Sequence, residues 1–161
     1  MALNFSPAKI VTDGLIFHFD AANPKSYVSG NAICNDMSAT QSIGTLNNGT
    51  SFNTADNGSF VFDGVDDYIQ TNFDEFATPP FTVEIWFKTT NDNQIAGVFS
   101  SRLGSSNSYR QFSMFIAGDQ YGATAGNKLA CYHGSNPGVR ANNVSTTNVC
   151  DGKWHQGIVI S

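Results

Sequence analysis

Glutamate is almost missing from this chain: Glu75 and Glu84 are the only two. Lysine is nearly as scarce, at five residues. All charged residues together make up 13% of 161 residues, about half the ordinary share. Exposed helices draw on Glu, Lys and their i,i+4 pairs, so this composition argues against a helical protein. Lys and Arg number eight, are scattered, and leave a formal net charge of -5. Phosphate binding needs clustered cations, so nucleic acid is not an expected partner. Cysteine is limited to Cys34, Cys131 and Cys150. An odd number cannot complete an intrachain disulfide framework, and no C-x-x-C pair suggests a metal. Buried free thiols are the simpler reading, with a Cys131–Cys150 bridge as the alternative. No apolar run reaches transmembrane length, so membrane insertion is not expected. The opening Met-Ala-Leu-Asn-Phe-Ser-Pro has neither a basic nor an apolar leader region. It reads as a protein made in a cytoplasm. The sequons at Asn4, Asn48, Asn57 and Asn143 then read as chance products of composition.

Small polar residues fill the space that charge leaves. There are 17 Asn, 16 Ser, 13 Thr and 15 Gly, which suit turns and short strands. Thirteen Phe favour a pleated, half-buried surface. Residues 1–13 read as an extended arm. Leu15, Phe17 and Phe19 alternate along Leu15–Asp20, the pattern of a strand with one buried side. Residues 21–31 read as a loop, and Asn48-Gly49 and Asn57-Gly58 read as turns. Strands are expected at Ser59–Phe62 and Tyr68–Thr71, joined through Asp63-Gly64. Phe81–Thr89 is the longest alternation: Phe81, Val83, Ile85 and Phe87 on one face, Thr82, Glu84, Trp86 and Lys88 on the other. Further strands are expected at Ile95–Phe99, Phe112–Ile116, Leu129–Tyr132 and Trp154–Ile160, with loops at 102–110, 117–127 and 134–138. Phe17, Phe19, Phe60, Phe62, Val83, Ile85 and Phe87 are the expected core. The reading is an all-β chain of two antiparallel sheets, a sandwich or barrel.

The segments GLIFHFDAANPKSY, NDMSATQSIGTLNNGTSFN and SFVFDGVDDYIQT, followed by FTVEIWFKT and DGKWH, add a resemblance. In this order they are similar to the laminin-G-like, concanavalin A-like jelly-roll family. Asp63, Gly64, Asp66, Asp67 and Tyr68 carry its middle motif, and Asp151 to His155 carry the last. Cys34 stands where the family usually has Trp. The resemblance implies a jelly-roll domain over residues 14–161, behind the arm 1–13. It also implies further strands after DGKWH, so the chain reads as incomplete at its C-terminal end. Ile158 and Ile160 would otherwise leave an apolar edge that a neighbouring chain must cover.

For chemistry, the fold resemblance raises glycoside hydrolysis, which needs two carboxylates flanking the scissile bond. Glu84 is present, but Trp86 and Lys88 hold the next same-face positions, so no enzyme is expected. His18, His133 and His155 show no metal spacing, and no G-x-S-x-G elbow occurs. No motif requires a cofactor. Calcium is the one that Asp63, Asp66 and Asp67 admit, with Asp92 and Asp119 in loops, although turn capping explains the same residues more simply. Trp86, Tyr109, Arg110 and Tyr121 are the candidate ligand contacts; filling a contact with the second sheet is the plainer role for Trp86. The opening segment resembles bacteriophage virion structural proteins, including those of cyanophages. The expected role is therefore a virion structural or decoration protein on a capsid or tail. Its partners would be other virion proteins or copies of itself. The alternative is an adhesion module for host-surface glycans.

Overall fold

The computed structural model describes residues 10–73, 80–91, 96–102, 111–117, 126–136 and 139–161. Eleven strands and one 3-10 turn (Ala55–Asn57) account for the regular structure among these residues, and every strand pairing is antiparallel. The fold is all-β, as expected. The chain divides into two compact units, Met1–Glu75 and Phe76–Ser161.

The first unit holds β1 (Ile33–Asn35), β2 (Ile43–Asn47), β3 (Ser51–Asn53), β4 (Ser59–Val61) and β5 (Tyr68–Thr71). β1, β2 and β5 form one sheet, and β3 and β4 form a hairpin. Phe52 and Phe60 face each other across that hairpin. Both rings pack on the buried Tyr27, at 5.2 and 4.8 Å. Gly44 pairs with Cys34, and a Cβ there would lie 2.5 Å from the Cys34 sulfur and 2.6 Å from the Phe19 ring. A small residue at 44 thus leaves room for the thiol and the ring. Burial pushes the Cys34 thiol up to about 11, so it stays protonated. All three cysteines are free, and Cys34 and Cys131 are buried, which answers the disulfide question.

Two expectations for this unit need correction. Leu15–Asp20 is not in a ladder. Its backbone is tied elsewhere: His18 N–H donates to Asp36 Oδ1 (2.8 Å) and Asp20 N–H to Ser26 Oγ (3.1 Å). Phe17 and Phe19 still turn inward and are half-buried, with ring centroids 4.5 Å apart. Phe62, however, is 48% exposed. The β3–β4 ladder ends at Val61, so the alternation that would bury Phe62 stops one residue short.

The second unit is a two-sheet sandwich. β6 (Thr82–Lys88) pairs with β11 (Trp154–Ile160). β7 (Ala96–Arg102), β8 (Gln111–Ala117), β9 (Lys128–Asn136) and β10 (Val139–Asn148) form the second sheet, in the order β10-β9-β8-β7. The core is Phe112, Met114 and Cys131 from β8 and β9, packed against Phe81, Val83 and Ile85 on one side and Val159 from β11. Gly157 brings β11 close to the second sheet: an added Cβ would meet Leu129 at 2.6 Å and Met114 at 3.0 Å. β6 alternates strictly, with Val83, Ile85 and Phe87 inward and Thr82, Glu84, Trp86 and Lys88 outward. β11 does the same, with Trp154, Gln156, Ile158 and Ile160 outward. No helix among the described residues is long and apolar enough to cross a membrane.

Candidate functional site

The outer face of the β6–β11 pair carries the most unusual surface chemistry. Register sets its layout: Trp86 lies opposite Gln156, Lys88 opposite Trp154, and Glu84 opposite Ile158. Trp86 is 58% exposed, so it does not fill a contact with a second sheet. Its ring N–H donates to Glu84 Oε1 (3.3 Å), and Gln156 Nε2 donates to the same oxygen (2.6 Å). A carboxylate only accepts, so it fixes both donors. Trp154 is 38% exposed, and Lys88 Nζ lies 5.9 Å from the centroid of its ring. Two indoles, a carboxylate, an amide and an ammonium thus share one flat face.

The turn before β11 positions Trp154. Gly152 takes a φ of 74°, where glycine is at ease, and its N–H donates to Thr89 O (3.0 Å). Asp151 Oδ1 accepts from Lys153 N–H (3.0 Å) and meets His155 Nε2 at 2.8 Å. The His155 ring, with the Lys153 N–H, holds the Asp151 carboxyl below its usual range. His155 turns inward beside Phe87, 6.1 Å between ring centroids, which leaves Trp154 outward. The motif DGKWH is therefore a closure that aims an indole at solvent.

A second candidate lies in the other unit. Asp63, Asp66 and Asp67 come together: one carboxylate oxygen from each lies within 4.8 Å of the others. Part of this is turn chemistry. Val65 N–H donates to Asp63 Oδ1 (2.8 Å), and Asp63 N–H donates to Asp67 Oδ2 (3.0 Å). The β2–β3 turn abuts the cluster: Asn48 Nδ2 donates to Asp66 O (2.9 Å), and a Cβ on Gly49 would lie 3.3 Å from Asp67 Oδ1. Turn chemistry leaves one buried oxygen over. Asp67 Oδ1 is buried and has no hydrogen-bond partner. Three carboxylates with one such oxygen fit a hard cation, and Asp63, Asp66 and Asp67 would hold calcium. The ion would offset their mutual repulsion. Calcium at about ten times its Kd should then stabilise this unit by about 1.4 kcal/mol. The measurement is hydrogen exchange of residues 59–71 with calcium and with a chelator; equal protection in both would exclude a calcium site here.

Tyr109, Arg110 and Tyr121, with Asp92 and Asp119, lie outside the described residues. The alternation of β6 puts Glu84, Trp86 and Lys88 on one face, as the structure has them, but it does not point to Trp154 and Gln156 as their companions. Period-two phasing puts Trp154 and Gln156 on one face of β11, but only the register with β6 brings that face beside Trp86.

Residues 63–161 match the family described as the Concanavalin A-like lectin/glucanases superfamily. The two-sheet antiparallel unit accords with this match, and the chain belongs to this family, of laminin-G type. Among curated proteins and solved structures, none matches the chain.

Proposed function

We propose that the domain is a non-enzymatic recognition module that binds saccharide on the outer face of β6–β11, centred on Trp86. The observation that carries this reading is the exposed indole of Trp86, flanked by polar groups already ordered by hydrogen bonds. An indole supplies a rigid apolar plate with little rotamer entropy to lose, and the polar flank supplies orientation. Size points the same way. Two strands of seven residues make a face of roughly 10 by 24 Å. That footprint, about 240 Å², is well short of the ~800 Å² per partner of a stable protein interface, but ample for an oligosaccharide.

The absence of catalysis is part of the proposal. Glycosidases place two carboxylates about the bond they cut. Glu84 is the one carboxylate on this face, and Trp86 and Gln156 occupy its Oε1. Turnover of a polysaccharide that disappears in Glu84→Gln would overturn this.

For placement we propose a virion surface, where the module would meet host-surface glycans. This placement rests only on the resemblance drawn from the segment GLIFHFDAANPKSY, and no curated protein matches the chain. A second reading, assembly with other virion proteins or copies of itself, draws on the exposed Ile158 and Ile160 at one end of the same face. A glycan array separates the two. Trp86→Ala should weaken saccharide binding by about thirtyfold, the loss of a central aromatic anchor. Stability should change by less than about 0.5 kcal/mol, because the ring is outside the core. Binding that survives Trp86→Ala would move the site elsewhere.

A further inference from the structure

We propose that the Trp86 platform selects saccharides carrying a free amine, with the ammonium group on the indole face and donating to Glu84. This rests on the saccharide reading above and names the class of ligand. The argument is an inventory of donors and acceptors. Trp86 has one polar hydrogen, and Glu84 Oε1 takes it. Gln156 turns its NH2 to the same oxygen, so its carbonyl oxygen points away from the carboxylate. What this cluster offers a ligand is then mostly acceptors, Glu84 Oε2 and Gln156 Oε1, together with one negative charge. Such a rim asks for a donor, and a cationic donor makes the stronger, charge-assisted bond.

The same face already holds one contact of this kind. Lys88 Nζ lies over the Trp154 ring at 5.9 Å, an ammonium resting on an indole one diagonal step from Trp86. At Trp86 the indole and the carboxylate are side by side and the ring is open to solvent. The chain's net charge of -5 draws cations toward it. An acidic saccharide could pair with Lys88, but it would then lie across Trp86 with its charge against Glu84. A neutral one satisfies the acceptors through hydroxyls and forgoes the charge-assisted bond.

The test is calorimetric titration of the full chain with three oligosaccharides of equal length: de-N-acetylated glucosamine, its N-acetylated counterpart, and plain glucose. A lysine oligomer of matched charge controls for bulk attraction. The amine form is expected to bind at least about tenfold more tightly than the other two, the scale of one charged hydrogen bond. Glu84→Gln should erase that preference, the amine form losing at least about tenfold relative to the other two sugars, with an unchanged thermal midpoint confirming the fold. Equal affinity for all three sugars overturns amine selectivity and leaves the saccharide reading standing. A preference that persists in Glu84→Gln, or tight binding of the lysine oligomer that ignores Trp86→Ala, assigns the effect to net charge and overturns the proposal. No binding of any sugar overturns both this inference and the saccharide reading for this face.

Discussion

Phe112→Ala should cost the second unit about 4 kcal/mol, the scale for removing a fully buried aromatic ring. The ring is 1% exposed. It stands edge-on to Phe81 at 5.5 Å and tilted to Phe99 at 6.1 Å, so both neighbours lose a partner as well as the cavity opening. β6 and β8 meet through this ring, and the second sheet cannot collapse into the space while its ladders hold. The readout is specific. Trp86 and Trp154 are the only tryptophans in the chain, and both lie in this unit, so tryptophan fluorescence in urea reports it alone. The midpoint should fall with the slope unchanged. Phe62→Ala is the contrast. Its ring is 48% exposed, so it should cost well under what Phe112 costs, read in its own unit by hydrogen exchange at residues 51–61. Equal losses at the two positions would show that the core is centred elsewhere.

That contrast marks where sequence reading succeeds and where it stops. β6 was legible because seven residues alternate without interruption and a half-buried sheet requires that alternation. β11 was legible as a short apolar run after a turn rather than by alternation, since its outward face carries Trp154, Ile158 and Ile160. Phe62 misled because period two persists in sequence past the residue where the ladder ends, and only pairing ends it. Leu15–Asp20 misled because its alternation buries Phe17 and Phe19 without a strand partner; Asp36 and Ser26 take the backbone donors instead. β1 was missed because three residues show no period, and β2 because Gly44 interrupts its short alternation. β10 was missed because VRANNVSTTN carries almost no apolar period; it is an edge strand held by its ladder with β9. The site was half legible. Trp86 could be assigned to a polar face from its own strand, but its meeting with Gln156 and Trp154 depends on a register between residues about 70 apart, and no local pattern encodes it.

Asp36 is the position where a single charge should matter most to the first unit. The carboxylate is buried and accepts four hydrogen bonds. Oδ1 takes His18 N–H (2.8 Å) and Ser38 N–H (2.8 Å), and Oδ2 takes Ser38 Oγ (2.7 Å) and Ser42 N–H (3.2 Å). It therefore ties the segment before β1 to the turn after it. Asp36→Ala leaves these donors without an acceptor, at roughly 1–3 kcal/mol for a buried group and less than additively for four. A loss of about 4 kcal/mol is expected, read by hydrogen exchange at residues 33–45. Asp36→Asn should lose roughly half of that, since its oxygen can keep two bonds while its NH2 faces the Ser42 N–H. The pH dependence has a definite sign. Burial alone would raise the Asp36 carboxyl, but the bonds from Ser38, His18 and Ser42 outweigh it and hold it below the usual value. A carboxyl lowered on folding contributes its stability in full above the unfolded value, about pH 3.9. That contribution is lost as the pH falls through the folded value. Wild type and Asp36→Asn should thus keep a constant difference at neutral pH and converge below about pH 4. Parallel acid profiles for the two proteins would remove Asp36 as the acid-sensitive tie.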